Sequence, residues 1–384
     1  MLRIIGVLFA VVAAIAAGIF FFVVPARVDA SLNKVIPHDP YPVSDAATSL
    51  HSTLRLADLH DDALLWDRNF LKRGARGHTD APRLAEGGYR LQVLAAVTKT
   101  PKNLNYDENS GDSDNITLLA MAQRWPIKTW SSLAERALHI AAKLKRYEAR
   151  SGGDVRLVET REELSQALGS DSLAVILATE GAHPLEGDLA NIGRLYDAGY
   201  RILGLQHFFD NELGGSLHGV SGAGLTEFGR AAVSVALEKG MIIDVAHSSE
   251  AVVRDVLALT DAPLIVSHTG LRGHCDSPRN LPDDLMKEIA GRGGLIGVGF
   301  WDGAVCDPTP QSIAGAIGYA IDLVGVDHVA LGSDFDGATS VPFDASEAVA
   351  LTDALISAGL SADEIRAVMG ENAVRFFSEN LPGS

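Results

Sequence analysis

Short runs of aliphatic residues recur along most of the chain, and segments with helical periodicity follow many of them. Such runs are typical of buried parallel strands, and they predict eight strands, at residues 54–59, 91–97, 174–179, 201–205, 241–246, 264–267, 295–299 and 328–332, with an extra short strand at 155–158. Helical periodicity predicts helices at 251–259, 281–290, 310–324 and 360–380, the last with a capping box formed by Ser361 and Glu364. Because strand and helix alternate to the end of the chain, we expect an α/β fold that closes as a (β/α)8 TIM-like barrel.

One long interval, residues 98–153, interrupts this alternation without a strand signal. Its first part, 98–115, is polar and predicts a loop. Its second part, 130–150, has Leu133, Ala137 and Ile140 at helical spacing and predicts a long surface helix. We interpret the interval as an insertion that forms part of a lid or a homodimer face.

The N-terminus carries an uncharged apolar stretch, residues 4–24, behind Arg3. Its 21 residues suffice to cross a bilayer as a helix. We therefore expect a signal anchor over 1–24, a Pro-containing linker over 25–45 and a catalytic domain over 46–384. The charge at Arg3 favours a cytoplasmic N-terminus and a domain outside the cytoplasm, periplasmic or extracellular. Val28-Asp29-Ala30 is a passable small-x-small cleavage site, so secretion after cleavage is the alternative.

The composition of the chain limits which partners it can bind and whether disulfides can hold its fold together. The apolar share of 47% and the charged share of 21% are typical of a globular core. A net charge of −17 argues against nucleic acid as a partner. Cys275 and Cys306 are too few for a disulfide framework, and the sequence leaves open whether they pair or stay separate.

Six potential metal ligands each follow one of the apolar runs, and they are His60, Asp62, Glu180, His247, His268 and Asp334. The carboxyl ends of parallel barrel strands meet at one mouth, so we expect these side chains to converge there. Imidazole and carboxylate ligands together indicate a divalent-metal site and favour a hydrolase. Asp58, two residues before His60 on the same strand face, is expected to orient that imidazole.

Further residues near the same strand ends suggest substrate handling. His207 follows its own apolar run and is expected to donate to a developing oxyanion. Arg279, in the loop after His268, suits a substrate carboxylate, and its neighbour Asn280 is also expected to bind the substrate. Residues 214–224 are too Gly-rich for a helix or a strand and predict a mobile loop over the mouth. In the 332–337 segment, Asp334 is the predicted ligand and proton shuttle, whereas Asp336 is interpreted as structural.

With these residues in hand, the chain resembles the membrane (renal) dipeptidase family, the M19 metallopeptidases, from about residue 56 to 377. The motifs that carry the resemblance are Asp58-Leu-His-Asp-Asp62, His78-Thr-Asp-Ala-Pro-Arg-Leu84, Glu180-Gly-Ala-His183, Gly240-Met-Ile-Ile-Asp-Val-Ala-His-Ser-Ser249, Ser267-His268, Arg279-Asn-Leu-Pro-Asp-Asp284, Gly325-Val-Asp-His328, Gly332-Ser-Asp-Phe-Asp-Gly337 and Gly370-Glu-Asn372. The chain departs from the family pattern at Leu59 and Ala182, where the family usually has glycine.

The resemblance implies a barrel that binds two Zn²⁺ per subunit. One zinc would take His60, Asp62 and Asp334, the other His247 and His268, with Glu180 bridging. It also assigns His207 to the substrate carbonyl and Arg279 to the C-terminal carboxylate of a dipeptide. The expected reaction is dipeptide hydrolysis by a metal-bridging hydroxide, with Asp334, His207 and Glu180 as catalytic residues. A D-residue on the C-terminal side is expected to be tolerated.

Two alternatives share these ligands. One is an N-acyl-amino-acid deacylase, or another metal-dependent amidohydrolase, which would differ only in its substrate. The other is a membrane-anchored binding protein without catalytic activity. The complete ligand set argues against the second alternative.

Overall fold

The computed structural model describes residues 2–383. Residues 1 and 384, the outermost bounds of the predicted domains, lie outside the described residues. It contains eleven strands, which are β1 Lys34–Val35, β2 Leu56–Asp61, β3 Tyr89–Val97, β4 Val155–Leu157, β5 Leu173–Glu180, β6 Tyr200–Gly204, β7 Ile242–Asp244, β8 Ile265–Thr269, β9 Leu295–Val298, β10 Val329–Leu331 and β11 Ser340–Val341. The predicted strands, including the extra strand near 155–158, are all present among the described residues.

Eight of these strands form a closed parallel barrel, which confirms the predicted fold class. The hydrogen-bonded order runs β3-β2-β10-β9-β8-β7-β6-β5, and pairing between β3 and β5 closes the ring. Strand β4 adds to β5 outside the ring, and β1 pairs with β11 in a separate two-stranded sheet. Aliphatic side chains from all eight barrel strands, such as Leu59, Val93 and Ile176, form one buried cluster. The barrel is therefore packed with side chains and leaves its carboxyl end as the place for a site.

Helices surround the barrel. They are α1 Leu2–Phe22, α2 Val24–Leu32, α3 Asp45–His51, α4 Ala81–Glu86, α5 Ile116–Ala122, α6 Leu133–Glu148, α7 Arg161–Leu168, α8 Ala190–Ala198, α9 Glu227–Glu238, α10 Glu250–Leu259, α11 Asp283–Gly291, α12 Asp302–Val305, α13 Pro310–Val324, α14 Val349–Ser357, α15 Ala362–Arg366 and α16 Asn372–Asn380. The helices predicted at 251–259, 281–290 and 310–324 correspond to α10, α11 and α13.

The single helix predicted at 360–380 is instead interrupted. The Ser361–Glu364 capping box is present, but a π-helical turn at Ala367–Glu371 separates α15 from α16. At Gly370 a Cβ atom would lie 1.9 Å from the backbone oxygen of Arg55, so the turn approaches the start of β2 closely. Asn372 then donates to the carbonyl oxygen of Val329 on β10. Tertiary contacts with the barrel thus override a uniform helix.

The N-terminal segment also differs from the prediction in its second half. The helical stretch Arg3–Leu32 is long and apolar enough to cross a membrane by length and composition, a test that signal sequences also pass. Residues 25–45 were predicted as a linker, yet they contain most of α2 and the strand β1. The prolines suggested a tether, but the buried Asp29 and Asn33 attach this segment to the barrel. The domain bounds themselves stay predictions.

The insertion has its predicted helix but a different environment. Helix α6 packs against the barrel, with Ala137, Ile140 and Leu144 buried. Arg136 is also buried and donates to the backbone oxygens of Thr98 and Thr129. Helix α6 is therefore half-buried, and its Arg136 side chain holds the backbone at the start of the insertion.

The two cysteines are paired. Cys275 and Cys306 form a disulfide with a Cα–Cα distance of 5.6 Å. The bond joins the loop after β8 to the loop after β9, and both loops lie at the carboxyl end of the barrel.

Candidate active site

The six predicted ligands converge at the carboxyl end of the barrel, around Glu180. Strand β5 ends at Glu180, whose side chain is only 5% exposed. Its Oε1 atom lies 3.2 Å from Nε2 of His247, 3.5 Å from Nε2 of His268 and 3.6 Å from Nε2 of His60. Three imidazoles from three different strand ends thus point at one carboxylate oxygen.

Asp62 and Asp334 complete the cluster. An oxygen of Asp62 and ligand atoms of His60 and Glu180 lie within 4.8 Å of one another, and the same holds for His60, His268 and Asp334. His60 Nε2, Asp62 Oδ1 and Glu180 Oε2 are buried and have no hydrogen-bond partner among the residues that the structure describes. Buried polar atoms without partners are costly, so this donor set fits cations held between them.

The electrostatics of the cluster agree with that assignment. Burial, together with the neighbouring Glu180 charge, raises the pKa of Asp62 and that of Asp334 well above the usual range. Burial opposes protonation of His60, but Glu180 and the two aspartates outweigh it and raise the pKa of this imidazole to about 10. The anionic forms of Asp62 and Asp334 are thus disfavoured beside Glu180, and the cationic form of His60 is favoured. A metal ion bound among these side chains would supply the positive charge.

Two of the ligands stand on unusual backbone. His247 has a φ of 60° and Asp334 has a φ of 58°, both in the left-handed region. For residues with a Cβ atom this costs about 1–3 kcal/mol, and such conformations cluster at functional sites. At Gly337 a Cβ atom would lie 1.9 Å from Oδ1 of Asp334, so glycine is needed beside this ligand. The fold therefore maintains an unfavourable local geometry to aim both side chains.

The groups that orient the imidazoles differ from the prediction. Asp58, expected to orient His60, instead accepts from the backbone N–H of Ser333 and from Gln92, and no hydrogen bond joins it to His60. The hydroxyl of Ser267 takes that place, since it lies 3.3 Å from Nδ1 of His60 and 2.9 Å from Nδ1 of His268. Asp58 thus fixes the Asp334 loop rather than the imidazole. The serine directly precedes His268, and no sequence signal marked its role.

The Gly-rich segment 214–224 packs behind the site. The buried Ser216 donates to the backbone oxygen of His207, and the N–H of Leu217 donates to the backbone oxygen of His247. This buried part of the segment supports the site histidines instead of covering the mouth as predicted. Asp336 is structural, as interpreted from the sequence, because it pairs with Arg68 at 2.8 Å and accepts from the N–H of His78.

Arg279 lies beside the two histidines. Its Nη2 atom donates to the backbone oxygen of His268 at 3.0 Å, and its Cζ atom lies 5.2 Å from the centre of the Trp301 ring. The Nε and Nη1 atoms are buried without a hydrogen-bond partner among the described residues. A buried guanidinium with two free N–H groups fits a carboxylate. Asn280, predicted to bind substrate, is fully buried and uses its amide on Gly270, Cys275 and Ala304.

His207 also reaches the centre, with Nε2 at 3.3 Å from Oε1 of Glu180. Its Nδ1 atom lies 3.4 Å from the backbone oxygen of Lys99, so both ring nitrogens face acceptors. Burial lowers the pKa of this imidazole. A neutral ring has one N–H, so His207 donates a single hydrogen bond from whichever nitrogen carries the proton.

A cavity of about 370 Å³ is lined by four of the six predicted ligands and by His207 and Arg279, and the four ligands are Asp62, Glu180, His247 and Asp334. Beyond the predicted residues, it is lined by groups that sequence reasoning missed, among them Trp66, Tyr106, Trp301, Val28 and Leu32. Trp301 donates from Nε1 to the hydroxyl of Tyr106 at 2.9 Å. Tyr106 lies in the insertion, and the only sequence signal for its place in the cavity is that it is a lone aromatic residue in a polar loop.

The comparisons with known proteins agree with this geometry. The sequence profile described as membrane dipeptidase, peptidase family M19, matches residues 44–381. The chain belongs to the membrane dipeptidase family. The predicted family resemblance is thereby confirmed.

Several known proteins are similar to this chain. The dipeptidase verJ of Clonostachys rogersoniana is 28% identical over 309 residues, which cover 78% of this chain and 74% of that protein. A metallopeptidase of Rhodobacter sphaeroides, solved with a phosphinate mimic of the dipeptide L-Ala-D-Ala, is 25% identical with a TM-score of 0.70. That likeness covers 86% of this chain and 100% of the solved one. The probable dipeptidase PvdM of Pseudomonas aeruginosa, at 20% identity and a TM-score of 0.74 over 88% of this chain and 98% of that one, shares the fold.

Proposed function

We propose that this family member is a dizinc dipeptidase that hydrolyses dipeptides with a free C-terminal carboxylate. One observation carries the proposal: six metal-ligand side chains cluster around Glu180, and four of them line a single cavity of about 370 Å³ together with a guanidinium that has free N–H groups. Family membership and the dipeptidases among its relatives support a metal-dependent peptidase with short substrates.

The ligand assignment follows from the resemblance and from the donor set. His60, Asp62 and Asp334 would hold one zinc, His247 and His268 the other, with Glu180 between them. Zinc bound there would lower the pKa of a water molecule to about 7 and polarise the peptide carbonyl. The position of Glu180, with three imidazole Nε2 atoms at 3.2–3.6 Å from one oxygen, supports a bridging role.

The side chains of the chain supply the remaining steps. His207 would donate to the carbonyl oxygen as it gains charge, because its Nε2 atom reaches the ligand cluster, 3.3 Å from Oε1 of Glu180. Asp334 would carry the proton to the leaving amine, because its carboxylate lies in the ligand cluster beside His60 and His268. Arg279 would hold the C-terminal carboxylate and thereby set the length of substrate that reaches Glu180.

A D-residue on the C-terminal side is part of the proposal. The Rhodobacter sphaeroides relative binds a mimic of L-Ala-D-Ala. Arg279 would recognise the carboxylate, which both stereoisomers carry. The apolar N-terminal helix would anchor the catalytic domain outside the cytoplasm, as the charge at Arg3 favours.

The experiment that tests the proposal compares four substrates with the zinc-loaded full chain in detergent. Release of free amino groups is measured on L-Ala-L-Ala, L-Ala-D-Ala, L-Ala-L-Ala-L-Ala and N-acetyl-L-Ala. We expect cleavage of both dipeptides and of neither other compound. Cleavage of N-acetyl-L-Ala alone would replace the proposal with a deacylase, and metal binding without any cleavage would favour a binding protein.

A further inference from the structure

Helix α2, which follows the apolar helix α1, contributes to the wall of the active-site cavity. Val28 and Leu32 of α2 line the same cavity as Asp62, Glu180 and Arg279. Leu32 is 41% exposed, so it reaches the cavity at its rim and is not part of the core. A segment predicted as a linker therefore touches the space in which the substrate would lie.

Helix α2 is fixed in this place by buried ion pairs. Asp29 is 1% exposed and lies 2.6 Å from Nε of Arg76 and 3.3 Å from Nε of Arg68. Arg68 in turn pairs with Asp336 at 2.8 Å, two residues after the ligand Asp334. Separating a buried carboxylate from the two guanidiniums that share it is costly, because a buried charge would then lose a partner without gaining water in its place.

The chain after α2 holds the loop that carries Asp334. The Oδ1 atom of Asn33 accepts from the backbone N–H of Ala338 at 2.9 Å. Strand β1 then pairs with β11, and Lys34 faces Ser340 in that pairing. Because Asp334 and Ala338 belong to one strained loop, the N-terminal segment supports the metal-ligand loop from outside the barrel.

The lining of the cavity combines a polar and an apolar group of side chains. Arg279, Trp301 and Tyr106 contact one another and suit a carboxylate. The apolar part contains Val28 and Leu32 of α2, which contacts α5, together with Leu65, Trp66, Leu104, Ile116 and Leu119. A dipeptide whose carboxylate is bound by Arg279 and whose carbonyl oxygen accepts from His207 would leave its N-terminal side chain for this apolar part of the lining.

We propose that α2 is a specificity-determining wall, and that the enzyme prefers dipeptides with a bulky apolar N-terminal residue. This inference rests on the proposed dipeptidase function and names its substrate class. It also requires that the anchor is retained. Cleavage after Ala30 would remove Val28 and Asp29, so Arg76 would lose its carboxylate partner and Arg68 would keep only Asp336.

The test uses the full chain in detergent and compares Leu32→Ala with Leu118→Ala. Leu118 on α5 is 58% exposed and does not line the cavity, so it is a matched control for the same change. The measured quantity is the ratio of kcat/KM for L-Leu-L-Ala to kcat/KM for Gly-L-Ala. Loss of a side chain from an apolar pocket changes discrimination by roughly tenfold or more. We expect that ratio to fall by about tenfold in Leu32→Ala and to stay unchanged in Leu118→Ala.

The possible outcomes distinguish this inference from the proposed dipeptidase function on which it rests. An equal ratio in wild type and Leu32→Ala, with both dipeptides cleaved, overturns the specificity wall and leaves the dipeptidase proposal standing. A fall of similar size in Leu118→Ala also overturns the wall, because the effect would not belong to the cavity. Hydrolysis of neither dipeptide by the wild-type chain overturns the proposed function, and this inference with it.

Discussion

The Nε2 atoms of His247 and His268 lie 2.9 Å apart at the carboxyl end of the barrel. Burial lowers the pKa of both imidazoles well below the usual value, so both rings are held neutral. Two neutral imidazole nitrogens at this distance share at most one proton, and Glu180 faces both of them. The pair is therefore suited to share a cation.

Replacement of His268 is expected to release metal. In His268→Ala one imidazole ligand is lost, so the zinc content of the purified chain falls by about one ion and dipeptide hydrolysis falls by more than about 100-fold. Elemental analysis measures the first effect. The control His328→Ala changes a histidine at the start of β10, which lies outside the ligand cluster, and should keep both metal and activity. Unchanged zinc content in His268→Ala would contradict the ligand assignment.

Replacement of Arg279 is expected to weaken substrate binding. A hydrogen bond to a charged group contributes about 1.5–3 kcal/mol, so Arg279→Ala should lower kcat/KM for L-Ala-L-Ala by roughly 10- to 100-fold. Steady-state kinetics on the zinc-loaded protein checks this. Arg272→Ala is the matched control, because Arg272 forms its ion pair with Glu250 away from the cavity. Equal losses in both variants would mean that Arg279 acts only through stability.

The disulfide is expected to stabilise the loops around Arg279. Cys275 and Cys306 close a loop with a sequence separation of 31. Removing such a cross-link lowers the free energy of unfolding by about 3–4 kcal/mol in the chain-entropy account. The double variant Cys275→Ser, Cys306→Ser should therefore unfold at lower urea concentration than the wild type. A reducing agent should shift the wild type in the same direction and leave the double variant unchanged, and a shift of the variant would point to another cause.

Lys143 is expected to make stability depend on pH. Its ammonium group donates to the backbone oxygens of Leu64 and Trp66, and burial lowers its pKa to about 7. Since the unfolded chain keeps the usual value of 10.5, it binds more protons than the folded chain between these two values. The free energy of unfolding therefore rises with pH through that window.

Urea unfolding of the wild type at about pH 7 and about pH 9 measures this rise. In Lys143→Met the titrating group is gone, so the difference between the two pH values should shrink. Lys145→Met, an exposed position on the same helix, is the control. If the difference in the free energy of unfolding between the two pH values stays the same in Lys143→Met, Lys143 is not the cause of the pH dependence.

The barrel and its ligands could be predicted because the signal is local. A run of aliphatic residues sets a buried strand, and the next polar residue must lie at the barrel mouth, as Glu180 and His247 do. Arg279 was predicted from the loop that follows such a strand. These inferences need only the neighbours of each residue along the chain.

The remaining features depend on contacts between distant segments. Asn280 looked like a substrate ligand, but Gly270 and Ala304 engage its amide, and neither partner can be paired with it from the sequence. The place of α2 depends on Asp29 meeting Arg68 and Arg76, which lie about 40 residues or more along the chain. A proline-containing stretch after an apolar helix predicts a tether until those partners are known.

The most direct test of the account is the rate of L-Ala-L-Ala hydrolysis by the full chain after chelation, before and after zinc is added back. If activity depends on metal bound at the Glu180 cluster, the chelated protein should not hydrolyse the dipeptide and should regain activity when zinc is added. The His268→Ala variant should not regain it. Hydrolysis that persists in protein shown by elemental analysis to be free of metal would contradict the account.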